Sequence, residues 1–440
     1  MPGTLPIGPL ETMSIAGVAV PSYVVPFDRS GASMAPLTER DLVRAAADAT
    51  DVYVFSHGWN NDWDGALRFY RNFMTEFGRV VTRHGPVRPG ARPLFVGIFW
   101  PSIAMPEHEG PSMAADMTDR PDTAGLEALA DEVGGDRAEL YALAQEPSLS
   151  GDRARRFAEL LRPLYRRTDA DLEDPDPDDD PEAILRLWRE LREQLDAEES
   201  GPEIISGPGG GGAVASGAGP TAAGLPGFLD PRNIIRLGTV LLMKDRAGTV
   251  GAHGVNRLLA ALLGGSGARV HLVGHSYGCR VVLSGLCGGP LPRPVRSVLL
   301  LQPALSYLAF AGRLPGSGAP GGYRPALARC ELPVVVTWTR RDVPLRQLFH
   351  LAVRRAGDAG DRNIGAAGLE TPPSRFAAMG GWGPQAAPGV LNVPIRRPAD
   401  GRYQLTGPEI LALESHPVIT GHSDIIQEAT AWALYNLASA

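Results

Sequence analysis

The chain of 440 residues is 44% hydrophobic and 21% charged, with a formal net charge of −7. Those proportions exclude wholesale disorder, and the length exceeds what one hydrophobic core usually serves, so a large α/β domain with an insertion or a small second domain is expected. The acidic balance, with arginines scattered among acids and Lys244 as the single lysine, excludes a protein whose task is neutralising nucleic-acid phosphates.

The first residues, MPGTLPIGPLETMSIAGVAV, carry no positive charge ahead of their apolar stretch, and no apolar run of about 18 residues follows anywhere. Neither a secretion signal nor a membrane span is expected. Ile15 to Phe27 reads as one or two antiparallel edge strands. Val52 to Phe55 begins a parallel core, and VYVFSHGWNND leads through a turn into a helix containing Trp63, Leu67 and Phe69. Leu94 to Phe99 is the next strand and ends in FWPS.

About 170 residues then separate this strand from the next, where a simple crossover needs only a dozen or so. Residues 103–250 are therefore read as an inserted helical cap, between core segments 1–102 and 251–440. Phe157, Leu160, Leu161 and Leu164 recur at helical spacing, as do Ile184, Leu187, Trp188, Leu191 and Leu195. Between them lies the acidic loop DLEDPDPDDDPE, and after them the stretch GPGGGGAVASGAGPTAAG, whose composition predicts a flexible hinge. Asp174, Asp176, Asp178 and Asp180 alternate as calcium ligands sometimes do, but no turn glycine or bidentate Glu accompanies them, so a solvated loop is the better reading and no metal is assigned. The segment NIIRLGTVLLM either lines an apolar acyl pocket or packs on the core.

Beyond the cap, strands are expected at Val270 to Val273, Ser297 to Leu301 and Val334 to Trp338, and the alternation with helices predicts a doubly wound, mostly parallel sheet. Cys279, Cys287 and Cys330 are odd in number and lack metal-ligand spacing. The first two fall on one helix too far apart to bond, which fits a reduced, cytoplasmic protein.

The sharpest chemical signal is ARVHLVGHSYGCRVVLSGL, in which Gly274, Ser276 and Gly278 form G-x-S-x-G between a strand and a helix. A serine hydroxyl is a weak nucleophile and needs a base, and the base needs an acid to hold its tautomer. Asp342 directly follows the strand PVVVTWT; the plainer alternative is a surface aspartate paired with Arg340 or Arg341. Two histidines compete as base. His422 stands before Ser423 and Asp424, which read as the start of a last helix bearing Ile425, Ile426, Ala429, Trp432 and Ala433. His416 precedes Pro417 and reads as a loop residue. For the developing oxyanion, one donor is the N–H of Tyr277 and the other the N–H of Trp59, presented after the turn at Gly58. His57 and His275 read as supports of the loop and the elbow. Asn60, Asn61 and Asp62 either brace the loop or simply open the helix.

The segments SHGWNN, FWPS and GHSYG resemble the α/β-hydrolase superfamily, in particular bacterial serine hydrolases with H-G-W/Y-N, W-P-S and G-H-S-x-G motifs. The resemblance spans roughly residues 15–115 and 250–440 and leaves the cap unmatched. It implies the α/β-hydrolase fold and a Ser276, Asp342, His422 triad in that chain order. The expected chemistry is hydrolysis of an ester-like bond in a small molecule or lipid through an acyl-enzyme, with no cofactor, no nucleic acid and no sequence support for membrane contact. An amidase or peptidase, an acyltransferase and a noncatalytic binding module stay open.

Overall fold

Ala16 and Gly17 both take positive φ, 51° and 81°, and so form the two-residue turn that matches the twist of a hairpin between β1 (Glu11–Ile15) and β2 (Val18–Pro26). The computed structural model describes residues 5–102, 123–166, 180–199, 229–355 and 371–440. After the hairpin come α1 (Pro36–Ala46), β3 (Asp51–Ser56), α2 (Trp63–His84) and β4 (Pro93–Phe99). The insertion contributes α3 (Thr123–Val133), α4 (Arg137–Ala144), α5 (Gly151–Tyr165), α6 (Pro181–Glu199) and α7 (Pro231–Thr249). A π-helical turn, Val250–Val255, carries α7 into α8 (Asn256–Gly265), so the helical run is unbroken where the insertion rejoins the core. There follow β5 (Arg269–His275), α9 (Tyr277–Cys287), β6 (Ser297–Leu301), β7 (Val334–Trp338), α10 (Phe349–Ala352), α11 (Met379–Trp382), β8 (Val390–Pro394), β9 (Ile410–Glu414) and α12 (Glu428–Ser439).

The protein is thus an α/β fold whose sheet has nine strands in the order β1-β2-β4-β3-β5-β6-β7-β9-β8, parallel throughout except for β1 against β2. Every expected core strand is present. Of the expected antiparallel edge, only β1 is antiparallel, because β2 pairs in parallel with β4. Strands β8 and β9 were not expected. VLNVP has a mostly exposed pattern and a proline, as an edge strand tolerates, and ILALE is made of good helix formers, so neither shows the β-branched run that marks β3 or β7. The last helix also starts later than Ser423. Asp424 turns its carboxylate back to the N–H and hydroxyl of Thr420, and α12 begins after Gln427, which shares a capping box with Thr430.

Alternation along the strands divides the core. Tyr53 and Phe55 meet Tyr70, Phe73 and Phe77 of α2 in a cluster that also holds Trp432 of α12, whereas Val52 and Val54 join the helices of the opposite face. The insertion belongs to that second layer: Leu129, Phe157, Leu161, Trp188, Ile235 and Leu241 are continuous with it. The apolar residues of NIIRLGTVLLM are therefore spent on packing. Trp188 Nε1 donates to Tyr165 Oη at 2.8 Å, closing α6 onto α5. After α10, buried Arg354 reaches Glu190 at 3.0 Å, and Arg355 binds Asp245 at 2.7 Å and the carbonyl of Leu164, tying the core to α5, α6 and α7. The three cysteines are free thiols. Among the described residues no helix is long and apolar enough to cross a membrane, and no His, Cys, Asp and Glu cluster could hold a metal ion. Asp174, Asp176, Asp178 and the glycine-rich stretch lie outside those residues.

At the amino ends of β3 and β5 a buried polar knot replaces apolar packing. Asp51 accepts from Arg269 at 2.8 Å and from Thr50 at 2.7 Å, with Arg88 at 3.2 Å and His271 Nε2 at 3.3 Å. Burial by itself would raise the Asp51 carboxyl, but the hydrogen bonds of His271 and Thr50 and the charge of Arg269 outweigh it and bring it down to about 2. A carboxyl depressed in the fold stabilises above its unfolded value of 3.8, and that stability drains away as pH falls toward 2. Asp51→Asn should lose on the order of 2 kcal/mol at neutral pH. Thermal melts of both proteins across pH check this: the gap should be full above about pH 4 and narrow below it, and a pH-independent gap would contradict the account.

Candidate active site

Strand β5 runs straight into α9, and Ser276 between them takes φ 54°, ψ −125°, a conformation that costs a non-glycine residue of order 1–3 kcal/mol. The flanking glycines are steric necessities. A Cβ on Gly274 would lie 2.6 Å from the Cα of Cys279, and one on Gly278 would lie 2.2 Å from the carbonyl oxygen of Ser56. Bonds from Ser276 N–H to Leu301 O at 3.1 Å and from Ala304 N–H to Ser276 O at 3.3 Å hold the turn against the end of β6.

The turn brings together residues far apart in sequence. His422 Nε2 is 2.8 Å from Ser276 Oγ, and His422 Nδ1 is 2.8 Å from Asp342 Oδ2. Asp342 is fully buried, and its Oδ1 accepts from the N–H of Leu345 at 3.1 Å. It is therefore not the arginine-paired surface residue that its sequence neighbours allowed. Because a carboxylate only accepts, Nδ1 of His422 carries the proton and Nε2 is left as the acceptor for the serine hydroxyl. The arrangement can draw a proton from Ser276 Oγ and stabilise the resulting imidazolium.

Two further histidines stay out of that transfer. His275 Nε2 donates to the carbonyl oxygen of His422 at 3.0 Å, and burial first, then the neighbouring His422, pushes its imidazole down to about 3. It fixes the His422 backbone without bringing a second charge. His57 is fully buried, with Nδ1 donating to Gly58 O at 2.8 Å and its ring stacked on Trp100 at 5.6 Å; burial holds it at about 4. Trp100 Nε1 returns a bond to His57 O at 3.0 Å. His416 engages the Arg340 N–H at 3.2 Å and the Thr339 hydroxyl at 3.3 Å, bracing the segment before Asp342 instead of meeting Ser276.

The loop after β3 presses directly on the serine, since a Cβ on Gly58 would come within 2.9 Å of Ser276 Cβ. Trp59 follows, buried, with its ring 6.5 Å from that of Tyr277, the first residue of α9. Trp59 and Tyr277, the two residues expected to supply the oxyanion donors, thus come from separate elements, the loop after β3 and the start of α9. Asn60 N–H donates to Ser102 O at 2.9 Å, Asn61 N–H to Ser102 Oγ at 3.2 Å, and Asp62 caps α2 through Gly65 N–H. The residues after Trp59 brace the loop, and FWPS is the element that they brace it against.

Gln302, directly after β6, is a member of the site that sequence reasoning missed. Its amide donates to Asp342 Oδ2 at 3.0 Å. The only local signal was a polar residue ending the apolar run SVLLL. Comparison with protein-family models, curated proteins and solved structures finds no match.

Because backbone oxygens of β3 fill the space at Gly278, Gly278→Ala should destabilise by more than about 3 kcal/mol or prevent soluble folding. Differential scanning calorimetry against wild type measures it, and an unchanged melt would refute the close crossing of β3 and α9.

Proposed function

We propose that this protein is a serine hydrolase of the α/β-hydrolase fold, cleaving an ester-like bond through an acyl-enzyme intermediate. The observation that carries the reading is the unbroken hydrogen-bonded chain from Ser276 through His422 to buried Asp342, mounted on a strained strand-to-helix turn. The parallel sheet supports it as well, since such sheets gather functional side chains at the carboxyl ends of their strands, where Ser276, Gln302 and Asp342 all lie.

In this mechanism His422 Nε2 takes the proton as Ser276 Oγ adds to the carbonyl carbon. Asp342 orients His422 and offsets its positive charge. The oxyanion is held by the N–H of Tyr277, at the amino end of α9, and the N–H of Trp59. His422 then returns the proton to the leaving oxygen, and the same residues activate water to release the acid. His275 and His57 remain neutral at working pH, so nothing opposes the transient imidazolium.

A fluorophosphonate probe and a series of p-nitrophenyl esters of increasing chain length test the proposal. Ser276→Ala should abolish labelling and lower kcat by on the order of 10⁴ or more while the fold persists. His422→Ala should lose nearly as much, the double variant hardly more, and His416→Ala should stay close to wild type. Normal turnover by Ser276→Ala, or an inactive His416→Ala beside an active His422→Ala, would sink the assignment.

A further inference from the structure

Gln302 is held at φ 45°, a left-handed conformation that a buried non-glycine residue adopts only when its surroundings enforce it. Both ends of its amide are engaged. Nε2 donates to Asp342 Oδ2 at 3.0 Å and to Gly380 O at 3.1 Å, and Oε1 accepts from the Thr337 hydroxyl at 3.2 Å. The backbone N–H of Gln302 donates to the same hydroxyl at 3.0 Å. Rotating the amide by half a turn would set its oxygen against a carboxylate and a carbonyl, so the network dictates which atom faces Asp342.

Asp342 Oδ2 is also the oxygen that accepts from His422. With Leu345 N–H on Oδ1, three donors fix the plane of the carboxylate. An amide can donate but cannot take up a proton, so this partner is a fixed donor and adds no competing base. We infer that Gln302 is a positioning residue, which acts through Asp342 to hold His422 in line with Ser276, the strained turn after β6 serving to aim the amide. This rests on the serine-hydrolase reading.

The other groups near the pair are accounted for. His275 from β5, its ring 5.1 Å from that of His422, and His57 from the β3 loop are both held neutral by burial. Arg340, Arg341 and Arg346 flank Asp342 along its own segment, and His416 after β9 meets Arg340 and Thr339.

Gln302→Met keeps the size and removes both donors; Gln302→Glu keeps the shape and sets a second carboxyl against Asp342. The rate of fluorophosphonate labelling is followed across pH, with melting and the low-field proton signal of His422 Nδ1 as controls. Gln302→Met should label roughly 10- to 100-fold more slowly, as small misplacements in a catalytic array do, with its low-field proton shifted. Gln302→Glu should label at least as slowly as Gln302→Met, because it replaces the donor facing Asp342 with a second carboxyl. Should Gln302→Met fail to fold, Thr337→Val, which frees the amide without touching Asp342, should give a smaller change in the same direction. A lowered melting temperature with wild-type labelling and a wild-type low-field proton would overturn the role and leave Gln302 as packing. A folded wild-type protein that never labels would instead refute the hydrolase reading, and the low-field proton in Gln302→Met would still decide whether Gln302 orients the pair.

Discussion

Three chain segments pass within contact of one another at Ser276: the end of β3, the end of β5 and the start of α9. Their spacing is set by backbone, since the glycines at 274, 278 and 58 each stand where a single added carbon would strike a neighbour. That crowding holds Ser276 at positive φ. It also brings the loop that carries Trp59 against the serine, next to the start of α9. The buried His57, Trp100 and Ser102 lattice then secures the β3 loop to the end of β4, so the loop keeps its position through fixed hydrogen bonds.

The molecule contains a second Ser, His and Asp chain, and the two differ in setting. At the opposite end of the sheet, Ser297 Oγ lies 2.8 Å from His271 Nδ1, and His271 Nε2 faces Asp51. All three are fully buried inside β3, β5 and β6, and Tyr53 stacks on the imidazole at 5.0 Å. Asp51 is also committed to Arg269 and Arg88. Ser297 sits within a regular strand with no strained turn to present its hydroxyl. Ser276 has the reverse arrangement, at an exit from the sheet, with His422 and Asp342 supplied by loops. The same residue types therefore staple one end of the sheet and assemble a site at the other.

The helical insertion is energetically part of one layer of the core. Its apolar stripes merge with those of α8 and α9, and Tyr277 Oη donates to Val240 O at 3.3 Å, so α7 packs on the helix that begins at the serine. The buried Arg355 and Asp245 pair binds the segment following β7, and thus the side of the fold that carries Asp342, to the same helix. Removing one partner of such a pair strands the other charge in a low-dielectric setting, so these contacts also fix where the insertion docks.

Five strands of the parallel core, two of the helices between β4 and β5 (α5 and α6) and the serine turn were legible in the sequence because each is written in local terms: apolar periodicity, or glycine where chains must cross. The short strands β8 and β9 were not, since an exposed edge and a run of helix formers carry no such period. Asp342 and His422 were reachable from the order of elements along the chain. Their pairing was decided only by the fold, which joins residues 80 and 146 positions apart in two hydrogen bonds. The roles of His57, His275, His416 and Gln302 were decided there too. Nothing local distinguishes a histidine that meets a serine hydroxyl from one that donates to a carbonyl, because that difference depends on which partner the folded chain places within about 3 Å of each ring nitrogen.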